Sequence, residues 1–244
     1  MLSRLALHAR QLAVHRAVGL LGGNHPVDGE RFSGTVPMVP HLASRRYGWT
    51  HYGVMIPDLQ APHRFFSIMS IVGTPGARVF DTDHALRTHP RGNATVVSGT
   101  AATHPHHFGS YDIAAECDLR GDGSVIGFGN EVLIQGHYPR YTVRATYAGF
   151  KLQITVTNTD AVAWFFRSPV YDHFSLLSEY HGHIDWQGHR TPIAGLCTFE
   201  YAAGPSPYQV RRKPLPEALK LPLDFFTYQI INPDARSQLL LTRV

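Results

Sequence analysis

The sequence predicts an antiparallel all-β protein closed into a barrel of about ten to twelve strands, with one N-terminal amphipathic helix ahead of it. Three observations carry that prediction. Apolar or alternating runs recur from Trp49 to the C-terminus. Turns bearing Gly, Asp, Asn or Pro separate them at short intervals. No helical periodicity lies between the runs, which excludes β–α–β units. Long antiparallel sheets avoid exposed edges by closing into a barrel or stacking face to face.

Residues 1–23 form the helical segment. Leu2, Leu5, Ala6, Ala9, Leu12, Ala13, Ala17 and Leu20 make one stripe at helical spacing, and Gly22-Gly23 ends it. Arginines interrupt the apolar run that a secretory signal needs. The helix is expected to pack on its own domain; peripheral membrane contact through residues 1–21 is the alternative. Residues 24–48, rich in Gly, Pro, His and Ser, read as a wrapping loop, and residues 49–244 as the barrel domain. Within it, runs 49–56 and 65–72 flank a turn region at 57–62. Segment 109–119 alternates as one half-buried strand and returns as 124–134 through the Asp122-Gly123 turn. Runs 141–147 and 150–157 meet at Ala148-Gly149, and 174–186 and 191–202 meet around Gln187-Gly188-His189. A proline-punctuated link with a short helical stretch at 215–220 leads to the closing strands 224–231 and 237–243.

Of 244 residues, 43% are hydrophobic and 11% aromatic, enough for a sizeable core. Only 16% are charged, against about 25% in typical soluble domains, so part of the surface should face a ligand, partner or membrane. No apolar window is long enough for a spanning helix. The net charge is +4, and the basic run Arg211-Arg212-Lys213 has no interleaved aromatics, so no nucleic-acid partner is expected. Two distant cysteines, Cys117 and Cys197, read as buried free thiols in a reducing, cytoplasmic compartment. There is no GxSxG, HExxH or phosphate-binding loop, and Gly121, Gly123, Gly127 and Gly129 fall inside a hairpin, so no cofactor is expected.

The densest constellation is Tyr171-Asp172-His173 followed by Glu179, His181, His183 and Asp185. The last four share one strand face at about 6.6 Å per step, a spacing that can hold a metal with two imidazoles and a carboxylate. Phe174, Leu176, Tyr180, Ile184 and Trp186 take the other face, so a solvated outer face without metal is the preferred reading. His104-Pro105-His106-His107 reads as a surface loop. Polar residues among apolar neighbours are better candidates for a ligand cavity: His51 beside Trp49 and Met55, Asn130 among Ile126, Phe128 and Val132, and Ser178 and Tyr180 on their strand's apolar face. Trp164 is the candidate aromatic wall.

At 180–201 the chain reads YHGHIDWQGHRTPIAGLCTFEY, and it ends LDFFTYQIINPDARSQLLLTRV. These segments resemble the family containing hydroxyneurosporene synthase (carotenoid 1,2-hydratase) and the lipocalin-like Diels–Alderases, at Tyr180, Gly182, Gly195 and Glu200 and in the closing strand pair. The resemblance implies a lipocalin-like barrel and adds Glu200 to the candidate catalytic residues. The expected function is binding of a hydrophobic small molecule (a terpenoid, polyketide or lipid) in the barrel cavity, with cofactor-free hydration, isomerisation or cyclisation. Tyr180 and His51 would then be donor or proton carrier, with Asn130, Trp164 and Ser178 binding substrate. The alternatives are a non-catalytic lipophilic carrier at a membrane surface and a metal-dependent enzyme using Glu179, His181 and His183.

Overall fold

The computed structural model describes residues 31–102, 107–223 and 227–243. The helix expected at 1–23, its membrane contact, the start of the wrapping loop and His104 to His106 lie outside them. Eleven antiparallel strands form one sheet that nearly closes on itself. In chain order they are β1 (Trp49–Ile56), β2 (Phe66–Gly73), β3 (Asn93–Thr100), β4 (His107–Asp112), β5 (Cys117–Leu119), β6 (Val125–Phe128), β7 (Val132–His137), β8 (Arg140–Tyr147), β9 (Phe150–Arg167), β10 (Asp172–Trp186) and β11 (His189–Gly204). Neighbours in sequence are neighbours in space except at one place, where β1 pairs with β11. That single long-range pairing joins two meanders, β1–β4 and β5–β11, and leaves the seam between β4 and β5.

The seam explains one departure from the sequence reading. Segment 109–119 is two strands, because the chain must leave β3 and join β6 there. One helical turn, α1 (Ile113–Glu116), makes the crossing, capped by the Asp112 carboxylate accepting from the Ala114 N–H. Segment 124–134 is likewise split into β6 and β7 by a turn at Gly129, whose φ of 52° suits glycine. The Tyr111 hydroxyl of β4 donates to Glu131 in that turn and ties the seam together.

Alternation decides what fills the barrel. Tyr52, Val54 and Ile56 of β1, Phe199 and Tyr201 of β11, and Phe174, Leu176 and Tyr180 of β10 all belong to one buried core. Aromatic rings meet across it: Tyr141 stacks on Phe199 at 4.4 Å, and Phe174 contacts Trp164 at 4.8 Å and Phe32 at 4.9 Å. The strap of residues 31–48 plugs the end where β1 begins. Tyr52, Tyr201 and Thr50 donate their hydroxyl hydrogens to its Met38, Val39 and Pro40 carbonyls. At the opposite end stand the 57–65 loop and the β10–β11 hairpin.

The last two strands, β12 (Thr227–Ile231) and β13 (Leu239–Arg243), pair only with each other. They form a hairpin outside the barrel, where the Tyr228 ring meets Phe165 of β9 at 6.0 Å and its hydroxyl lies near Glu200. The expected helical stretch at 215–220 is a short 3-10 turn over Glu217–Leu219. Cys197 is buried, Cys117 half-buried, and both are free thiols.

Candidate functional site

Two places combine burial with chemistry, and the main sheet lies between them. The first is a cavity of about 250 Å³ at the barrel mouth. Leu59, Pro62 and His63 of the 57–65 loop wall one side, and Ile184, Trp186 and Ile193 of the β10–β11 hairpin wall the other. The hairpin turns on Gln187 and Gly188, both at positive φ (51° and 78°), the type I′ geometry that matches strand twist. His63 packs edge-on against Trp186 at 5.0 Å and places Nδ1 3.1 Å from Thr100 Oγ1. Burial pushes its imidazole below the ordinary value, so it is neutral near pH 7.

The second place is on the sheet's outer face. Paired residues of an antiparallel ladder share a face, and the register sets His51 and His173 on either side of Ala202, with Glu200 next along β11 opposite Gly53 and Ser175. A ring nitrogen of each histidine and a carboxylate oxygen of Glu200 lie within 4.8 Å of one another. His51 and Glu200 are only 7% and 4% exposed. His51 Nδ1 donates to the Ser70 carbonyl at 2.9 Å, while Nε2 stands 3.4 Å from Glu200 Oε2. The Tyr171 hydroxyl is 3.2 Å from His173 Nδ1. Gly53 makes room for the group: a Cβ there would sit 3.0 Å from His51 Nε2 and 3.2 Å from Glu200 Oε2.

Burial acts to raise the Glu200 carboxyl, but His51 and then His173 outweigh it and hold the group below its ordinary value. Burial drives His173 down to about 4, so it is neutral at pH 7. Burial and the adjacent Glu200 charge raise the Tyr228 hydroxyl. Around the carboxylate, the Tyr228 hydroxyl meets Glu200 and the hydroxyls of Ser175 and Thr198, and all four polar groups are buried.

The structure therefore divides the residues singled out from the sequence. Tyr180, Ser178 and Trp164 are on the inner face, and His51 and Glu200 on the outer one. His51 does not look into the barrel, because Tyr52 on the opposite parity does. Asn130 is a second correction: it is exposed in the β6–β7 turn, not aligned with Ile126 and Phe128. Ser178 donates to Asn158 Oδ1, a core bond between β10 and β9. Trp164 packs on Phe174, and the Arg167 guanidinium lies 4.7 Å over its ring, so its face is already taken. Glu179 and His181 are exposed, and His183 lies 3.7 Å from Asp185, which Arg190 holds. Among the described residues these do not converge; the group that does is His51, His173 and Glu200. His173 and Tyr228 escape a sequence reading because only the β1–β11–β10 register and the C-terminal hairpin bring them to His51.

Residues 69–244 match the model of DUF6670, a family of unknown function. The chain belongs to DUF6670. A solved protein of Nitrosomonas europaea with the provisional name AttH is similar over 74% of this chain, at 14% identity and a TM-score of 0.47; the chain spans 58% of that protein's length. No curated protein matches this DUF6670 chain. The hydroxyneurosporene synthase resemblance rests on its quoted residues alone, and packing accounts for two of them. A Cβ at Gly182 would lie 2.0 Å from the Gln153 carbonyl oxygen, and Gly195 faces the Tyr180 ring. No helix among the described residues is long and apolar enough to cross a membrane.

Proposed function

We propose that this DUF6670 protein binds a small hydrophobic molecule, or the end of a longer one, at the mouth of its barrel. The largely apolar lining of the mouth carries the reading: Leu59, Pro62, Ile184, Trp186 and Ile193 form its walls, with Gln60, His63, Gln187, His189 and Thr191 as the polar groups that could orient a guest. At about 250 Å³ the cavity falls below the roughly 300–1,000 Å³ of most ligand pockets, which favours a short chain or single ring of a terpenoid, polyketide or lipid. The centre of the barrel is filled by aromatic side chains, so the guest lies at the end and not in the middle.

The cofactor-free hydration, isomerisation or cyclisation implied by the resemblance would draw on Tyr180. It shares the inner face of β10 with Ile184, four residues deeper. Burial raises its hydroxyl to about 12, so it would serve as a hydrogen-bond donor and not as a base. His51 and Glu200 cannot touch the same substrate, because the sheet separates them from Tyr180.

Trp186 fluorescence, titrated with short isoprenoid and acyl ligands, tests the binding. Ile193→Glu sets a charge into the apolar wall and should weaken binding by at least about tenfold. Wild-type affinity in a folded I193E protein would place the ligand elsewhere.

A further inference from the structure

We propose that His51, His173 and Glu200 form a site for one divalent first-row transition-metal ion, zinc or a close relative, between the barrel's outer face and the C-terminal hairpin. The proposal does not depend on ligand binding at the mouth. It rests first on the orientation of His51. A carbonyl oxygen only accepts, so His51 Nδ1 must carry the hydrogen it gives to Ser70. In the neutral ring Nε2 is then a bare lone pair, and it faces an oxygen of a buried carboxylate at 3.4 Å. Two acceptors face each other only across a cation: a proton or a metal ion.

The separation suits a metal, although an imidazole and a carboxylate also stand 3.4 Å apart at His107 and Glu131. A charge-assisted N–H···O bond closes to about 2.7–2.9 Å. Two ligands on one tetrahedral zinc ion, each about 2.0–2.1 Å from it, stand about 3.3 Å apart. The observed 3.4 Å matches the second spacing. The largest separation in the trio, within 4.8 Å, needs a contraction of up to about 1.5 Å to reach the same geometry.

The surroundings fit a metal better than an isolated ion pair. A ligating histidine usually gives its other ring N–H to a carbonyl or another acceptor. His51 does so to Ser70, and Tyr171 stands against Nδ1 of His173. The Glu200 carboxylate is buried beside the Tyr228 hydroxyl, which also meets the hydroxyls of Ser175 and Thr198. A water in the fourth coordination position would have these groups to bond. Gly53 keeps open the space that any side chain would fill. Two imidazoles and one carboxylate suit zinc, and iron(II) or manganese take the same donors.

The full chain, purified without a histidine tag, tests this by elemental analysis and by zinc titration of chelator-stripped protein. The expected result is about one metal ion per chain, and a melting temperature that rises when zinc is restored. Glu200→Gln and His173→Ala should each cut zinc affinity by at least about tenfold. If either fails to fold, Gly53→Ala decides. It keeps all three donors and a strand-compatible backbone, crowds the site, and should also lose affinity by about tenfold. His181→Ala combined with His183→Ala should bind as the wild type does. The proposal is overturned if stripped wild-type protein takes up no metal, if the folded cluster variants bind at wild-type affinity, or if the His181/His183 variant is the one that loses it.

Discussion

The two faces of the sheet at β1, β11 and β10 are built on opposite plans. On the inner face, large rings fill the space, and the Tyr52 and Tyr201 hydroxyls reach carbonyls of the strap. On the outer face the side chains are small or polar (Gly53, Ala202, Ser175, Thr198, Glu200 and two histidines), and the C-terminal hairpin sets Tyr228 against Glu200, Ser175 and Thr198. Those hydroxyls and the carboxylate meet one another in a buried polar group. An inner face of this kind holds a fold together. An outer face that buries a carboxylate among hydroxyls and imidazoles spends stability and is the natural place for an occupant.

The comparison can be broken most sharply at Phe174, which is fully buried among Phe32, Trp164 and Tyr201. Phe174→Ala should cost about 3–5 kcal/mol in urea unfolding, through lost transfer energy and the cavity left behind. A loss under about 1 kcal/mol would mean that the inner face is loosely packed.

A matched pair of smaller changes contrasts the faces directly. Tyr201→Phe removes a donor and strands the Val39 carbonyl, so it should cost about 1 kcal/mol. Thr198→Val deletes a buried hydroxyl that meets Tyr228, and Tyr228 keeps Glu200 and Ser175, so metal-free protein should lose less than Tyr201→Phe does. Equal losses in the two variants would show that the outer hydroxyl carries as much stability as the inner one.

The smallest effect concerns the mouth. Because burial lowers the His63 pKa, the folded state binds that proton less readily than the unfolded chain. Its stabilising contribution is present above the unfolded value of about 6.5 and is lost as pH falls through the lower folded value. Stability and affinity for an apolar ligand should both decline on acidification from neutral pH, and His63→Asn should make both profiles shallower. An unaltered profile in H63N would assign the effect to other histidines.

The strands were largely legible because a half-buried strand writes its burial into alternate positions. Phe150, Leu152, Ile154 and Val156 alternate with polar neighbours and point inward as that rule requires. The same rule fails where both faces are covered. His51 lies among apolar neighbours, and alternation alone does not tell which parity looks into the barrel; the hairpin that buries its side is remote in sequence. Asn130 misleads for a local reason, since the Gly129 turn resets the parity that Ile126 and Phe128 establish. The histidine-rich 179–185 stretch drew attention by its spacing, but Glu179 and His181 stay exposed and only His183 and Asp185 approach each other, at 3.7 Å.

Local chemistry by itself determined the strands, most of their turns and the aromatic filling, because those depend on neighbours within a few residues. Tertiary structure decided which face of each strand became the interior, where the mouth opens, and that His51, His173 and Glu200 meet. The reason is the pairing of β1 with β11, which brings residues 149 positions apart within reach and has no signature in either strand taken alone.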